Sequence, residues 1–312
     1  MSGGRLMISA CGSGSGKTTL VMALLASFIK KNITVQSYKC GPDYIDPMYH
    51  SRITNRPTYH TDPFFLEPDQ LSELIAEKSE KADLSLIEGA MGFYDGLGTS
   101  SDCSAYTVAN ITNTPVLLVV NPKGMGCSVG ALCSGFLKYR ENNHISGVIL
   151  NGIKPGMYGY YKKIIKENTG LSVYGYLPEL EQVHLESRHL GLITADEIKD
   201  FNKITDILAD AALQTIDIDG LIELSETAQP LHYNKREIET SKTVTLGVAR
   251  DSAFCFYYDE NLEMLEECGA KIVDFSPIND RQLPENLDGI YLGGGYPELF
   301  AEELSENRSF ID

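Results

Sequence analysis

A glycine-rich run near the start of the chain has the residue types that hold a phosphate group. The run Gly12-Ser13-Gly14-Ser15-Gly16-Lys17-Thr18-Thr19 separates a strand-like apolar run from a helix-like stretch. Glycines let backbone N–H groups surround phosphate oxygens, a lysine neutralises the β and γ phosphates, and the following hydroxyl can hold Mg²⁺. The strict pattern has glycine where this chain has Cys11, but Gly12 and Gly14 can supply the turn. The run therefore predicts a site for ATP and Mg²⁺. The expected nucleotide contacts are Gly12, Gly14, Ser15, Gly16, Lys17, Thr18 and Thr19.

A second cluster of polar residues directly follows another strand-like run. It reads Lys39-Cys40-Gly41-Pro42-Asp43-Tyr44-Ile45-Asp46-Pro47. Two carboxylates and a lysine at the carboxyl end of a parallel strand lie where open α/β sheets bind ligands. Gly-Pro-Asp and Asp-Pro are also ordinary turn sequences at protein surfaces. The residues alone leave both interpretations open.

A third cluster begins with an acid at the end of an apolar run. Glu88 follows residues 84–87 and opens the stretch Glu88-Gly89-Ala90-Met91-Gly92-Phe93-Tyr94-Asp95-Gly96. An acid at the end of a buried strand, facing a phosphate loop, is typical of the metal-binding acid in enzymes with such a loop. The alternative is that Glu88 only caps the strand end. Residue chemistry alone supports a catalytic role for Asp95 less strongly than for Glu88.

Further polar residues have two interpretations each. His50, His60 and His189 either orient a substrate or are ordinary hydrogen-bonded histidines. Arg188 either meets substrate carboxylates or forms a surface ion pair. Asn121 and Asn151 each end a strand-like run, where an amide reads the adenine edge or caps a turn.

The spacing of apolar residues indicates which elements position these clusters. Short apolar runs at residues 6–10, 34–38, 84–88, 115–120 and 146–150 alternate with longer amphipathic stretches such as 18–31. Such runs suit buried parallel strands separated by helices, joined by right-handed crossovers. A strand at 173–177 and a helix at 196–213 follow. The pattern predicts an open α/β sheet with the polar clusters at the carboxyl ends of its strands.

The chain length and a polar stretch indicate two domains. A length of 312 residues exceeds the roughly 100 to 200 residues usual for one domain. We expect a first domain at residues 1–225, a linker at 226–242 and a second domain at 243–312. The linker contains Pro230, Asn234 and the cluster Lys235-Arg236-Glu237. The second domain has strand-like runs at 243–249, 271–275 and 289–292 and a helix at 259–267, too few elements to close a doubly wound sheet.

The net charge and the cysteine pattern exclude some classes of binding partner and indicate the cellular compartment. The chain has 43 acidic and 26 basic residues, a net charge of -17 that repels nucleic acid and anionic membranes. Any anionic ligand therefore needs lysines, arginines or helix N-termini placed locally. Seven scattered cysteines without a CxxC pair predict reduced thiols in the cytoplasm. We expect neither a signal segment nor a membrane anchor.

Motifs along the whole chain resemble those of one family, the cobyrinate a,c-diamide synthases. In the first domain the motifs are GSGSGKTT (12–19), KCGPDYIDPMYH (39–50), DPFFL (62–66), IEGAMGFYDG (87–96), GVILNGI (147–153), GYLP (175–178) and RHLGL (188–192). In the second they are GVARDSAFCFYYDENLEMLEECGA (247–270) and DGIYLGGGYPEL (288–299). The order of these blocks across both domains makes the resemblance specific.

The resemblance implies an ATP-using domain similar to dethiobiotin synthetase, with a phosphate loop and a parallel sheet, followed by an incomplete class I glutamine amidotransferase-like α/β domain. It implies a carbon–nitrogen ligase that converts the a and c acetate carboxylates of a corrinoid into acyl phosphates, which ammonia from glutamine then amidates. The acids that match the family are Asp43, Asp46, Glu88 and Asp95, which with Lys17 form the expected catalytic set. The expected metal ligands are Thr18, Asp43 and Glu88. A homodimer is one possible assembly.

Some features leave alternatives open. Thr58-Tyr59-His60-Thr61 stands where we expect Asn-Leu before Asp62-Pro63, and a related enzyme amidates nickel sirohydrochlorin, so the tetrapyrrole is not fixed. A plain carboxylate ligase such as dethiobiotin synthetase shares the first domain but lacks the amidotransferase-like segment. From another class, a ParA/MinD-like ATPase switch shares the glycine loop. Such switches usually carry a lysine where this chain has Gly12.

The resemblance also predicts which reaction this polypeptide lacks. A class I glutaminase needs a cysteine on a tight elbow, activated by a histidine. The family places that cysteine downstream of GGGYPEL, yet no cysteine follows Cys268 and no histidine follows His232. Cys255 and Cys268 lie outside any glycine elbow. We therefore expect a truncated chain, an interrupted gene or a partner chain that supplies the remainder, and we expect this form to self-associate.

Overall fold

Short apolar runs form the large sheet of the first unit. The computed structural model describes residues 3–183, 187–188, 191–192, 194–238, 240 and 242–311. Within these residues, the strands of the large sheet are β1 (Gly4–Ala10), β2 (Val35–Lys39), β3 (Tyr59–His60), β4 (Leu84–Glu88), β5 (Val116–Val120), β6 (Ile145–Asn151) and β7 (Ser172–Leu177). All neighbouring strands are parallel, and β2, β4 and β5 are buried at every position. Burial on both faces explains why these strands appear in the sequence as continuous apolar runs.

Helices connect the strands, as parallel pairing requires. The described helices of this unit are α1 (Lys17–Lys30), α2 (Ile45–Thr54), α3 (Pro68–Ser79), α4 (Ala105–Thr112), α5 (Ser128–Tyr139), α6 (Tyr158–Thr169), α7 (Phe201–Thr215) and α8 (Ile218–Ser225). Single 3₁₀ turns occur at Pro155–Met157 and Ala195–Glu197. Two short antiparallel strands, β8 (Ser187–Arg188) and β9 (Gly191–Leu192), form a separate pair. No helix in the described part of the chain is long and apolar enough to cross a membrane.

The strand order creates a place for a ligand. The order is β3-β2-β4-β1-β5-β6-β7. From β1 the chain first builds the side that holds β4, β2 and β3, and later crosses to the side that holds β5, β6 and β7. In open α/β sheets the crevice outside the carboxyl ends of the strands, at such a reversal, is where ligands bind. The phosphate loop follows β1 and therefore lies at this reversal.

The predicted elements agree with the structure except near α2 and β3. Each strand predicted in the large sheet is present within a few residues of its expected bounds. The Asp46-Pro47 pair does not form a surface turn, because both residues are buried in the first turn of α2. Proline is tolerated in the first turn of a helix, where its missing N–H has no helical partner to lose. The expected helix at 196–213 is a 3₁₀ turn followed by α7.

The second compact unit begins after the first one ends at Lys235. Its described strands are β10 (Val244–Ala249), β11 (Ala270–Phe275) and β12 (Gly289–Tyr291), which form a parallel sheet in the order β11-β10-β12. Its described helices are α9 (Asp259–Glu267), α10 (Ala301–Glu306) and α11 (Arg308–Ile311), with a 3₁₀ turn at Pro297–Phe300. The division between the units at residues 235 and 236 falls inside the stretch assigned to the linker.

Candidate functional site

The phosphate loop between β1 and α1 has a backbone shape that depends on glycine. Gly14 and Gly16 have φ values of +73° and +82°, in the left-handed region that glycine occupies without a steric penalty. The Ser15 hydroxyl donates to the Gly12 carbonyl at 2.8 Å, and the Asn151 amide donates to the Ser15 carbonyl at 2.9 Å. Asn151, at the end of β6, therefore supports the loop. A Cβ on Gly16 would lie 2.0 Å from the Asn151 amide nitrogen, so the loop leaves no room for a side chain there.

Lys17 is the first residue of α1, and its side chain is buried against the loop after β4. Its ammonium donates to the backbone carbonyl of Met91, a residue in the left-handed region with a φ of +46°. Burial lowers the pKa of Lys17, while the charge of Glu88 opposes that effect. The contact links the phosphate loop directly to the loop that follows β4.

Lys39 joins three carboxylates at the carboxyl ends of β2 and β4. The parallel register pairs Lys39 with Glu88. The Lys39 ammonium donates to the Asp46 carboxylate and lies 3.3 Å from Asp43 Oδ2 and 3.4 Å from Glu88 Oε1. Burial alone would lower the pKa of Lys39, but the charges of Glu88, Asp46 and Asp43 outweigh it and raise the pKa. Lys39 therefore stays charged in a buried place.

Thr18 places its hydroxyl between two of these carboxylates. Thr18 Oγ1 lies 3.1 Å from Asp46 Oδ2 and 3.3 Å from Glu88 Oε1, and can donate to either. No cluster of three or more His, Cys, Asp or Glu side chains suited to a metal ion occurs among the described residues. Mg²⁺, however, is usually held by one or two carboxylates together with phosphate oxygens and waters. The hydroxyl of Thr18 and the carboxylates of Asp46 and Glu88 fit that donor set.

Asp43 and Asp95 fix the backbone of two loops. Asp43 Oδ1 accepts hydrogen bonds from the backbone N–H groups of Ile45 at 2.9 Å and Asp46 at 3.2 Å, which holds the start of α2. Asp95 is exposed, and its Oδ2 accepts the Gly92 N–H at 2.8 Å. Of the expected metal ligands, Thr18 and Glu88 lie close to one another, whereas Asp46 rather than Asp43 is the second carboxylate beside Thr18.

Glu88 is fully buried between a lysine and a histidine. Its Oε2 lies 2.8 Å from Nε2 of His50, which is also fully buried, although the direction of approach is outside hydrogen-bond geometry. Burial alone would raise the pKa of Glu88, but Lys39 and then His50 outweigh it and lower the pKa to about 2. The carboxylate is therefore ionised at neutral pH.

The remaining predicted residues have other partners. His60 Nε2 lies 2.7 Å from the Asp43 carbonyl, to which it can donate. Asn121 Oδ1 accepts the Lys123 N–H at 3.0 Å, so it caps a turn. Arg188 lies in β8, but its side chain and the whole of His189 are outside the described residues.

The phosphate loop and the acidic cluster share one cavity of about 680 Å³. The predicted site residues that line it are Gly14, Gly16, Lys17, Thr18, Thr19, Asp43, Asp46 and Glu88. Gly12, Ser15, Asp95 and Asn151 are not among its lining residues and lie in the loops or strand ends around it. Lys39 also lines the cavity, although the sequence reasoning assigned it no separate role. Lys39 could have been singled out from the sequence because it ends a strand-like run and directly precedes Cys-Gly-Pro-Asp.

The sequence of the whole chain is similar to known proteins. The CobQ/CobB/MinD/ParA nucleotide binding domain matches residues 6–193, and the CobB/CobQ-like glutamine amidotransferase domain matches residues 245–312. Cobyrinate a,c-diamide synthases from Priestia megaterium and Caldanaerobacter subterraneus are each 40% identical, over 98% of this chain and 67% and 68% of their own lengths. The chain belongs to the cobyrinate a,c-diamide synthase family. This finding confirms the family expected from the motifs and the order of the two α/β domains.

Other likenesses are more limited. The cobyrinate a,c-diamide synthase from Clostridium tetani is 39% identical, over 98% of this chain and 68% of that enzyme. The chain thus spans about two thirds of the length of these family members. A solved structure of chloroplast FtsY from Physcomitrella patens aligns with 67% of this chain and 66% of its own chain, at a TM-score of 0.44 and 16% sequence identity.

The glycine loop of the second unit is closed by a tyrosine. The Gly293 N–H donates to the Tyr257 hydroxyl at 2.8 Å, and the Gly294 carbonyl accepts the Phe256 N–H at 3.0 Å. The first glycine N–H of the loop is therefore already engaged in a hydrogen bond within the unit. All seven cysteines lie within the described residues, and none of them forms a disulfide.

Proposed function

We propose that this family member is a ligase that uses ATP and Mg²⁺ to amidate the a and c acetate carboxylates of cobyrinate through acyl phosphates. The observation that carries the proposal is that Lys17 and Lys39 line one cavity beside the phosphate loop together with Thr18, Asp46 and Glu88. In this assignment residues 1–225 perform the ligase chemistry, and residues 243–312, joined through 226–242, are part of an amidotransferase domain.

The residues around the cavity have separate tasks in the first half-reaction. Backbone N–H groups of the phosphate loop bind the phosphates, and Lys17 neutralises charge on the transferred phosphoryl group. A substrate carboxylate oxygen attacks the γ-phosphorus, the bond to the β–γ bridging oxygen breaks, and ADP leaves. Thr18, Asp46 and Glu88 would hold Mg²⁺, which supplies charge neutralisation at the β and γ phosphates.

In the second half-reaction ammonia attacks the carbonyl carbon of the acyl phosphate. Phosphate leaves with the electron pair of the carbon–oxygen bond, and the nitrogen loses a proton, which gives the amide. Lys39, which stays charged in its buried place, lines the same cavity and can neutralise charge on the departing phosphate. Asp43 and Asp95 keep the two loops that border the reaction in place.

The proposed substrate class comes from the family, and the charge of the chain sets a requirement for binding such a substrate. A polycarboxylate such as a tetrapyrrole is repelled by a protein with a net charge of -17 unless local cations attract it. Lys17 and Lys39 are the cations of the described residues that line the cavity. The amidotransferase match over residues 245–312 is not expected for a ParA/MinD-like switch, which favours the ligase.

The test is amidation of a defined substrate. The purified chain would be incubated with ATP, Mg²⁺, ammonium and either cobyrinate or nickel sirohydrochlorin, and the products followed by mass spectrometry. We expect cobyrinate to lose about one mass unit per amide, twice, because NH₂ replaces OH, and to stimulate ADP formation. Stimulation by DNA or lipid vesicles and not by a tetrapyrrole would contradict the proposal. Amidation of nickel sirohydrochlorin alone would change the substrate but keep the ligase.

The nitrogen source is tested in the same preparation. We expect this polypeptide to use free ammonia and to release no glutamate from glutamine, because Cys255 and Cys268 are its cysteines in the second unit and no histidine lies there. Cys255 lies in a loop, and Cys268 caps the end of α9. Glutamate release that a thiol reagent abolishes would show that one of these cysteines is a nucleophile.

A further inference from the structure

His50 lies beneath the site and has no task in the reaction described above. It is on α2, its side chain is fully buried, and its Nε2 lies 2.8 Å from Glu88 Oε2. Its Nδ1 is buried and has no hydrogen-bond partner among the described residues. Two unprotonated acceptors would repel each other at 2.8 Å in a buried place, so we place a proton on Nε2, although the approach in this structure lies outside hydrogen-bond geometry. A buried polar side chain whose Nε2 lies 2.8 Å from one oxygen of Glu88 indicates a purpose beyond packing.

We propose that His50 is a positioning residue that holds the Glu88 carboxylate in the orientation needed to bind Mg²⁺. This inference rests on the proposed role of Glu88 as a metal ligand. With Oε2 held by His50, Oε1 points to Thr18 Oγ1 at 3.3 Å and to Lys39 at 3.4 Å. A carboxylate fixed at one oxygen cannot rotate away when the other oxygen binds a cation. Loss of such an outer partner typically weakens metal affinity 10- to 100-fold.

A packing role for His50 makes a different prediction from a positioning role. Packing would stabilise the protein by the same amount whatever residue stands at position 88. Positioning acts only through the Glu88 carboxylate, so its effect disappears when that carboxylate is removed. A double-mutant cycle separates the two roles, because it measures the part of the effect that the residues share.

The experiment measures how much Mg²⁺ strengthens ADP binding, as the ratio of dissociation constants in EDTA and in saturating Mg²⁺ by calorimetry. The variants are His50→Leu, His50→Gln, Glu88→Gln and the double variant His50→Leu with Glu88→Gln. Thr54→Val is the control, since Thr54 is also buried on α2 and donates to the His50 carbonyl at 2.9 Å without contacting Glu88. Urea unfolding of each variant shows whether it folds.

We expect His50→Leu to reduce the Mg²⁺ effect at least about tenfold and His50→Gln, which keeps an N–H donor, to stay within about threefold of the wild type. In the Glu88→Gln background His50→Leu should cause no further loss, and Thr54→Val should match the wild type. An unchanged Mg²⁺ effect in His50→Leu, or an equal loss in both backgrounds, overturns the inference. If His50→Leu does not fold, a tenfold loss in His50→Gln overturns it and retention of the effect supports it. An unchanged Mg²⁺ effect in Glu88→Gln would refute the role of Glu88 itself, a separate result from a failure at His50.

Discussion

At the scale of single residues, one buried lysine joins several carboxylates. Lys39 at the end of β2 is close to Asp43, Asp46 and Glu88, and the buried groups among them, Lys39, Asp46 and Glu88, would be costly to bury as charges without a partner. Removing one member leaves an unpaired charge. Substitutions here therefore report on both stability and chemistry, and the two need separate measurements.

Lys17→Ala should reduce ATP hydrolysis and amidation together by at least about 100-fold, because the variant lacks the ammonium that lies in the phosphate loop. Phosphate release and product mass would be measured in the same reaction. Lys31→Ala is the matched control, since Lys31 lies just after α1 and pairs with Asp219 at 2.6 Å on the surface. Near-normal turnover in Lys17→Ala would contradict the assignment of the loop.

Glu88 should make the protein sensitive to acid. Its pKa is lowered from 4.5 to about 2, so its contribution is fully present above pH 4.5 and is lost as the pH falls through about 2. A shift of this size corresponds to a contribution on the order of 3 kcal/mol. Urea unfolding between pH 5 and about 2 should therefore show a shallower loss of stability for Glu88→Gln than for the wild type. Equal slopes would show that Glu88 has an ordinary pKa.

Residue types and order predicted much of the candidate site, but not its contacts. The phosphate loop, Glu88 and the acids after β2 were visible because each directly follows an apolar run. The pairing of Asp46 with Thr18 was not visible, because it depends on α2 starting at Ile45 and on the register that places Lys39 beside Glu88. Strand register depends on contacts between distant parts of the chain, which one sequence does not display.

At the scale of elements, apolar patterning predicted the strands that are buried on both faces. It missed β3, which has two residues and thus no periodicity to detect. It also missed α2, whose sequence IDPMYHSRIT buries Asp46 and His50 as well as apolar residues. Buried polar residues break the apolar stripe by which a helix is recognised. Both of these unpredicted elements carry buried polar residues near the site.

Substitutions at two glycines test whether nucleotide binding depends on the local geometry of the phosphate loop. Gly16→Ala should weaken nucleotide binding at least about tenfold, because Gly16 has a left-handed φ and a Cβ there would lie 2.0 Å from the Asn151 amide. Gly135→Ala, inside the exposed part of α5 with no atom within 4 Å of a Cβ, should stabilise the protein by about 0.5–1 kcal/mol. Calorimetric titration with ADP and urea unfolding measure the two effects. Equal nucleotide affinity in both variants would contradict the assigned loop geometry.

At the scale of the whole molecule, the chain consists of two compact units, Met1–Lys235 and Arg236–Asp312. The described residues of 228–243 belong to no helix or strand. Without a ladder of backbone hydrogen bonds, such a segment opens locally more readily than the elements around it.

Brief trypsin treatment should therefore cut first at Lys235, Arg236 or Lys242, the basic residues of this segment. Mass spectrometry of the early fragments would identify the site. The larger fragment should bind ADP with the affinity of the intact chain, since the cavity residues all precede the cut. First cleavage within the large sheet or its helices would contradict the division into units.

We expect the contact between the Lys17 ammonium and the Met91 carbonyl to break when a nucleotide binds. A phosphate must take the ammonium from that carbonyl, so association proceeds by encounter followed by an exchange of partners. The loop after β4, and with it Asp95, would then sense the arrival of each nucleotide before any bond is made.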